Sequence, residues 1–213
     1  MNNEKLYSWF SKQRFRKFEV HANGDKSKAK NLYKDNILLS EALYPVLSVF
    51  EVVLRNAIHK ELEKNHGRKD WYEDWKYYPD LKGPLDLIND AIIKIQDRQE
   101  ENNPGKVIAE MTLGFWISLF NARYERILWK PLRLCFKQIP KNQRQRHVVS
   151  SNLNKIRVLR NRIYHYEPIC WKLSALNDNY QRIITTLGWI DQDIVSWIYD
   201  IDGFPDVLDE IKN

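Results

Sequence analysis

The chain has 213 residues with 43% hydrophobic and 29% charged side chains, a balance that suits a folded domain and argues against disorder. The N-terminus holds no apolar run typical of a signal peptide, and no stretch approaches the ~20 apolar residues of a membrane span. We therefore expect a cytoplasmic protein that does not bind membranes, built as one domain over residues 1–213, with a formal net charge of +6.

Glycine and proline are scarce, and no sustained alternation of apolar and polar residues occurs, so the chain is predicted to be all-α. Apolar residues at three- and four-residue steps predict helices over residues 5–18, 27–66, 84–99, 106–120, 142–166 and 171–187. Pro45 predicts a kink or break near Leu43, and Gly188 is expected to end the helix before it. The aromatic segment 71–79 is expected to be an ordered loop packed on the bundle. A last amphipathic helix and an acidic tail complete the chain.

Charge is distributed unevenly along the chain. Residues 1–34, a basic helical segment, hold nine Lys or Arg and three acids, whereas the acidic tail, residues 189–213, holds seven acids and one Lys. Residues 123–162 hold twelve Lys or Arg against one acid. This stretch predicts a polyanion ligand, RNA, with four arginines as candidate contacts: Arg144, Arg146, Arg157 and Arg162. The alternatives are a solvated helix face or a face that pairs with the acidic tail.

The sequence contains few residues suited to metal or cofactor chemistry. Its two cysteines, Cys135 and Cys170, fit neither a CxxC motif nor a zinc site, and we expect both to be reduced and buried. HExxH, a Gly-rich phosphate loop and GxSxG are missing, which disfavours metalloenzymes, P-loop NTPases and serine hydrolases. We predict no metal site and no cofactor.

Arg160, Asn161 and His165 form the main candidate site, near the end of a predicted helix and just before Pro168. An arginine presents a fork of donors that fits a phosphate, and a histidine moves protons near neutral pH. Asn161 and His165 share a helix face, whereas Arg160 is turned from Asn161 by about 100°. The site closes only if the helix distorts before Pro168 or if two copies meet across a dimer. The alternative is a surface Arg and His that complement the helix dipole.

A second cluster lies on the long helix and consists of Glu51, Arg55, Asn56 and His59. Glu51, Arg55 and His59 are spaced four residues apart and stack along one side of the helix. Two interpretations remain open for the first two residues. They form a surface charge pair, or they face the Arg160 helix inside the bundle and position its side chains.

Three segments, in order along the chain, resemble the Abi-like (abortive infection) group of HEPN domains: residues 50–59, 111–120 and 159–168. The resemblance covers about residues 37–187. It implies an α-helical HEPN bundle, with additional helices at both ends of this chain, and a homodimer in which the Arg and His of two protomers meet at a cleft. It also implies metal-independent endoribonuclease activity in phage defence or as a toxin, with an antitoxin or defence-system partner.

The resemblance assigns a catalytic set, Arg160, Asn161 and His165, and a supporting set, Glu51, Arg55, Asn56 and Tyr164. In some HEPN toxins a tyrosine two residues after the histidine is modified by a partner nucleotidyltransferase. That position is Glu167 in this chain, so the resemblance does not extend to control of that type. The alternative function is a non-catalytic RNA-binding or partner-sensing module on the same fold. A third is a helical adaptor whose acidic tail docks a basic partner.

Overall fold

The computed structural model describes residues 3–212, with side chains from residue 5 onward. Within these residues the chain is all-α and contains no strand, which confirms the predicted fold class. The helices, numbered α1 to α11, are Asn3–Phe10, Lys12–His21, Lys26–His66, Lys82–Asp97, Pro104–Glu110, Leu113–Ser118, Glu125–Leu132, Arg146–Tyr164, Leu173–Ile190, Gln192–Ile198 and Phe204–Lys212.

The long helix α3 is the element on which most others pack. Its contacts extend to α2, α6, α7, α9 and α11. It begins at a good N-cap, because the Asp25 carboxylate accepts hydrogen bonds from the N–H groups of Ser27 and Lys28, and it ends at Gly67 in the left-handed conformation. One stripe of its side chains is buried in the core: Leu39, Leu43, Val46, Leu47, Phe50, Leu54, Ile58 and Leu62. This stripe makes α3 the scaffold for the rest of the bundle.

Of the kink or break predicted near Leu43, the break does not occur. The helix runs through Pro45 without interruption. Leu43 and Val46, on either side of the proline, are fully buried in the core. Their packing offsets the hydrogen bond that a proline removes from a helix interior, which costs about 3 kcal/mol.

In the part of the chain that the structure describes, α3 is also the one helix long and apolar enough by composition to cross a membrane. No such stretch was expected from the sequence. Length and composition alone do not distinguish a membrane-spanning helix from the core helix of a soluble protein. In α3 about a third of the apolar window, 33%, is buried against the other helices.

Three further helix boundaries differ from the predicted ones. The first predicted helix divides into α1 and α2 at Ser11, whose φ is 65°. The predicted helix over residues 106–120 divides into α5 and α6, because Thr112 adopts an extended conformation and caps α6 through the Phe115 N–H. Gly188 lies buried inside α9 instead of ending it.

The acidic tail is folded rather than free. Its residues form α10 and α11, and α11 packs on α3. Phe204 and Leu208 are buried, and the Phe204 ring lies 4.7 Å from that of Tyr180 in α9. Deletion of residues 200–213 would therefore uncover core side chains, and the adaptor interpretation loses its free docking segment.

The aromatic segment packs on the bundle as predicted. Residues 71–77 form a 3₁₀ turn in which Trp71, Tyr72 and Trp75 are buried. The Trp71 ring lies 4.8 Å from that of Trp75 and 6.4 Å from that of Trp116 in α6. Both cysteines are free and buried, as expected, and burial raises the pKa of Cys170 to about 11.

His59 joins α3 to this aromatic turn. Its Nδ1 accepts a hydrogen bond of 2.9 Å from the indole N–H of Trp71, so the neutral ring carries its proton on Nε2. Burial lowers the pKa of His59, and this effect outweighs the opposing effect of Glu63. Protonation of Nδ1 would remove the acceptor from the buried indole.

Acidification is therefore expected to weaken the fold through His59. Because its pKa is lowered in the folded state, its contribution to stability is complete above the unfolded value of about 6.5 and declines as the pH falls below it. A His59→Gln variant keeps an acceptor for Trp71 and does not titrate. Between pH ~7.5 and ~5.5 its free energy of unfolding, measured in urea, should fall less than that of the parent. Equal losses in the two proteins would contradict this role.

Candidate functional site

His165 occupies the C-cap of α8, and the three residues around it close the helix in a defined way. The Glu167 N–H donates to the Arg162 carbonyl at 2.7 Å, and the Tyr166 N–H donates to the Ile163 carbonyl at 3.0 Å. These two bonds make a Schellman motif, which requires a left-handed residue at Tyr166. Its φ is 55°, a conformation that glycine usually supplies. The helix thus ends sharply, and His165 projects from its last turn.

Two side chains fix the segment after His165. The buried amide of Asn36 in α3 accepts from the Ile169 N–H at 2.6 Å and lies 3.5 Å from the Glu167 carbonyl, to which it donates. Arg162 donates to the Pro168 carbonyl, and its Nε lies 3.6 Å from the Glu167 carboxylate. Asn36 was not among the residues predicted for the site. Its signal was its position three residues before Leu39, in line with the buried stripe of α3.

His165 faces α2. Its side chain is exposed and lines a cavity of about 270 Å³ together with Arg14, Lys17 and Phe18. The Arg14 guanidinium lies 5.3 Å from the centre of the Tyr166 ring, a cation–π contact. Sequence reasoning did not select these α2 residues, although it found the N-terminal segment to be basic. The cations nearest the histidine therefore come from a different part of the chain than the Arg160 motif.

Arg160 is held on the other side of α8, against α3. Its Nη2 donates to the Glu51 carboxylate at 3.3 Å, and its guanidinium lies 3.8 Å from the centre of the Tyr164 ring. The Tyr44 ring lies 6.5 Å from that of Tyr164 and nearly parallel to it. Burial raises the pKa of Tyr164, so this phenol stays neutral at physiological pH. Arg160 Nε is buried and has no hydrogen-bond partner among the described residues, which leaves one donor uncommitted.

In one copy of the chain, Arg160 and His165 lie in different surroundings. The cavity lined by His165 does not include Arg160. Asn161 is half-buried, its carbonyl accepts the His165 N–H at 2.9 Å, and its amide has no partner in the described part of the chain. Arg160 contacts Glu51 and Tyr164, whereas His165 lines the cavity against α2.

The supporting set divides in two. Glu51 faces Arg160 and positions it, as one of the two interpretations expected. Arg55 makes no such contact, since its Nε lies 3.4 Å from the Asn56 side-chain oxygen. A Glu51–Arg55 pair is not formed within the described residues.

All four arginines predicted to bind RNA are hydrogen-bonded within the protein, Arg162 through the Pro168 carbonyl as described above. Arg144 donates to the carbonyls of Lys137 and Ile139, and Arg157 to the Asn154 side chain. Arg146 pairs with Glu125 at 2.8 Å and donates to the Phe120 carbonyl, with 16% of its side chain exposed. Arg144 and Arg146 tie neighbouring segments together, whereas Arg157 bonds within α8, so the charge of residues 123–162 is only partly available to a ligand.

No group of three or more His, Cys, Asp or Glu side chains in residues 3–212 could hold a metal ion. Comparison of the chain with family models, with curated proteins and with solved structures finds no match. The fold and the site together define an all-α protein with an exposed histidine beside a basic helix.

Tyr166→Gly is expected to stabilise the protein. A left-handed residue with a Cβ destabilises the fold by about 1–2 kcal/mol, and glycine removes this strain. The substitution also removes the cation–π contact with Arg14, which contributes about 0.5–1 kcal/mol. We expect a net gain of up to about 1 kcal/mol, measured by urea denaturation, and a rise in Tm of about 2–4 °C per kcal/mol. Gln99→Gly is the matched control, because Gln99 has φ 57° and ends α4 in the same motif. Destabilisation by Tyr166→Gly alone would show that the tyrosine ring supports the fold.

Proposed function

We propose that the protein is a metal-independent endoribonuclease of the Abi-like group of HEPN domains, a cytoplasmic protein that acts in phage defence or as a toxin. The observation that carries the proposal is the setting of His165. It is exposed at a fixed helix end, in a cavity that two cationic side chains of α2, Arg14 and Lys17, also line. A proton-transfer group beside cations is the arrangement that cleavage of a phosphodiester requires.

The reaction is attack of a ribose 2′-oxygen on the adjacent phosphorus. The 2′-hydroxyl loses its proton to a base as the new P–O bond forms. The bond from phosphorus to the 5′-oxygen breaks, and that oxygen takes up a proton. The products are a 2′,3′-cyclic phosphate and a 5′-hydroxyl. His165 serves as the base or the acid, Asn161 orients it or the phosphate, and Arg160 stabilises the charge that develops on the phosphate.

A second copy of the chain completes the site in this proposal. Arg160 is held in place by Glu51 and Tyr164, and it does not share a cavity with the His165 of its own chain. Beside it, Ile37, Tyr44 and Val52 present exposed apolar side chains on one face of α3. A homodimer formed through this face would cover them and bring Arg160 of one protomer to His165 of the other.

The first test is cleavage of a panel of RNAs by the purified protein in excess EDTA. We expect cleavage to 2′,3′-cyclic phosphate ends, and His165→Ala should reduce its rate by about 10²–10⁴-fold. His147→Ala is the matched control, because His147 is an exposed histidine at the other end of α8, and it should leave the rate unchanged. Intact RNA with the parent protein across the panel would refute the nuclease.

The second test addresses the composite site. Arg160→Ala and His165→Ala should each be inactive alone. Mixed and allowed to exchange subunits, they form heterodimers in which one of the two sites has both residues. Cleavage should return to about a quarter of the parent rate, since half of the dimers are mixed. A mixture as inactive as its components would place the whole site within one chain.

The alternative function is a non-catalytic RNA-binding or partner-sensing module. One observation favours it: the cations that line the His165 cavity come from α2 and can bind an anion without the histidine. In that case RNA binds to the parent and to His165→Ala equally, and neither protein cleaves it. Both the ribonuclease and the non-catalytic module would act with an antitoxin or a defence-system partner.

A further inference from the structure

A groove runs between α2 and the segment that follows His165. Its wide part is a cavity of about 630 Å³ lined by Arg16, His21 and Trp171 among others. The smaller cavity that holds His165 shares the Lys17 and Glu167 side chains with it. The two cavities therefore adjoin each other, and together they are called the α2 groove.

The α2 groove carries cations that the protein does not neutralise. Arg14, Arg16 and Lys17 are exposed, and none forms an ion pair with another described residue. Glu167 is the acid that lines both cavities, and its carboxylate is paired with Arg162 at 3.6 Å. The groove thus keeps three cationic side chains on one helix, available to successive anionic groups.

Aromatic rings lie at both ends of this row of cations. At the wide end the His21 ring stacks on Trp171, with centroids 4.2 Å apart and planes at 23°. The buried ring of Phe18 contacts Trp171 edge-on at 5.0 Å, so the platform is fixed. At the His165 end, Tyr166 is 72% exposed. Exposed flat rings beside cations are what single-stranded nucleic acids bind, because unpaired bases stack on the rings while phosphates contact the cations.

We infer that the α2 groove binds the single-stranded RNA substrate and delivers a phosphodiester to His165. The inference rests on the ribonuclease function proposed above. A base stacks at His21 and Trp171, Arg16 and Lys17 contact phosphates, and the strand continues past Tyr166 to His165. Double-stranded RNA fits less well, because its bases are already stacked on each other and are not free to lie on the rings.

Binding is measured in the His165→Ala background, which separates it from cleavage. The probe is a short fluorescein-labelled oligouridine, followed by fluorescence anisotropy at several salt concentrations. Arg16→Ala/Lys17→Ala should weaken binding on the order of tenfold, and its salt dependence should become shallower by about 1.4 in log–log slope. His21→Ala, which removes an exposed ring, should weaken binding about fivefold or more with an unchanged salt slope.

The control is Lys82→Ala/Lys94→Ala, which also removes two charges. Both lysines are exposed on α4, a helix that packs on α5 and on the aromatic turn. It should bind the probe like the parent. Loss of affinity equal to that of the groove variant would show a general charge effect and overturn the inference.

The remaining outcomes are also decisive. Tighter binding of a duplex than of the single strand, or capture of an acidic protein by the groove with no RNA affinity, would overturn the groove's role. RNA that binds through the groove and stays uncut by the parent would support the groove and refute the nuclease. Cleavage that depends on His165 but not on Arg16 and Lys17 would support the nuclease and refute the groove.

Discussion

One buried amide controls the geometry of the site. Asn36 of α3 is 6% exposed, and it bonds the backbone of Glu167 and Ile169, the residues that follow His165. An unpaired amide in the core costs about 1–3 kcal/mol, so α3 and this segment are fixed relative to each other or both are destabilised. Because Asn36 fixes the segment that follows α8, the chain must turn within three residues after the helix ends. That turn requires Tyr166 to be left-handed and directs His165 to α2.

The fold was predictable where local pattern and packing agree. The periodicity of residues 27–66 predicts α3 to within one residue, and its apolar positions Leu47, Phe50, Leu54, Ile58 and Leu62 are all buried. In the first half of the helix the agreement is weaker, since Ile37 and Tyr44 are apolar but exposed. Prediction failed where packing overrides a local rule. Pro45 does not break α3, whose Leu43 and Val46 are buried in the core, and Gly188 lies buried within α9 instead of ending it.

The candidate site was predictable only in part. The spacing of Arg160 and His165 indicates that they point in different directions, and the structure places them in different surroundings. Contacts between residues far apart in the chain cannot be read from the sequence in this way. Nothing in the sequence places Arg14 beside Tyr166, and a count of charges does not tell that Arg146 is already bonded to Glu125. Composition gives the number of cations, and the fold decides which remain free.

The Asn36 bonds also set when the site appears during synthesis. They join residues 131 and 133 positions apart, so α2 and α3 leave the ribosome long before their partners near His165 exist. At about 5–20 residues per second, the interval is on the order of ten seconds. An unfinished chain therefore has the basic helix but not the histidine. In the ribonuclease proposed above, the cations of the α2 groove would thus be made well before the histidine that they serve.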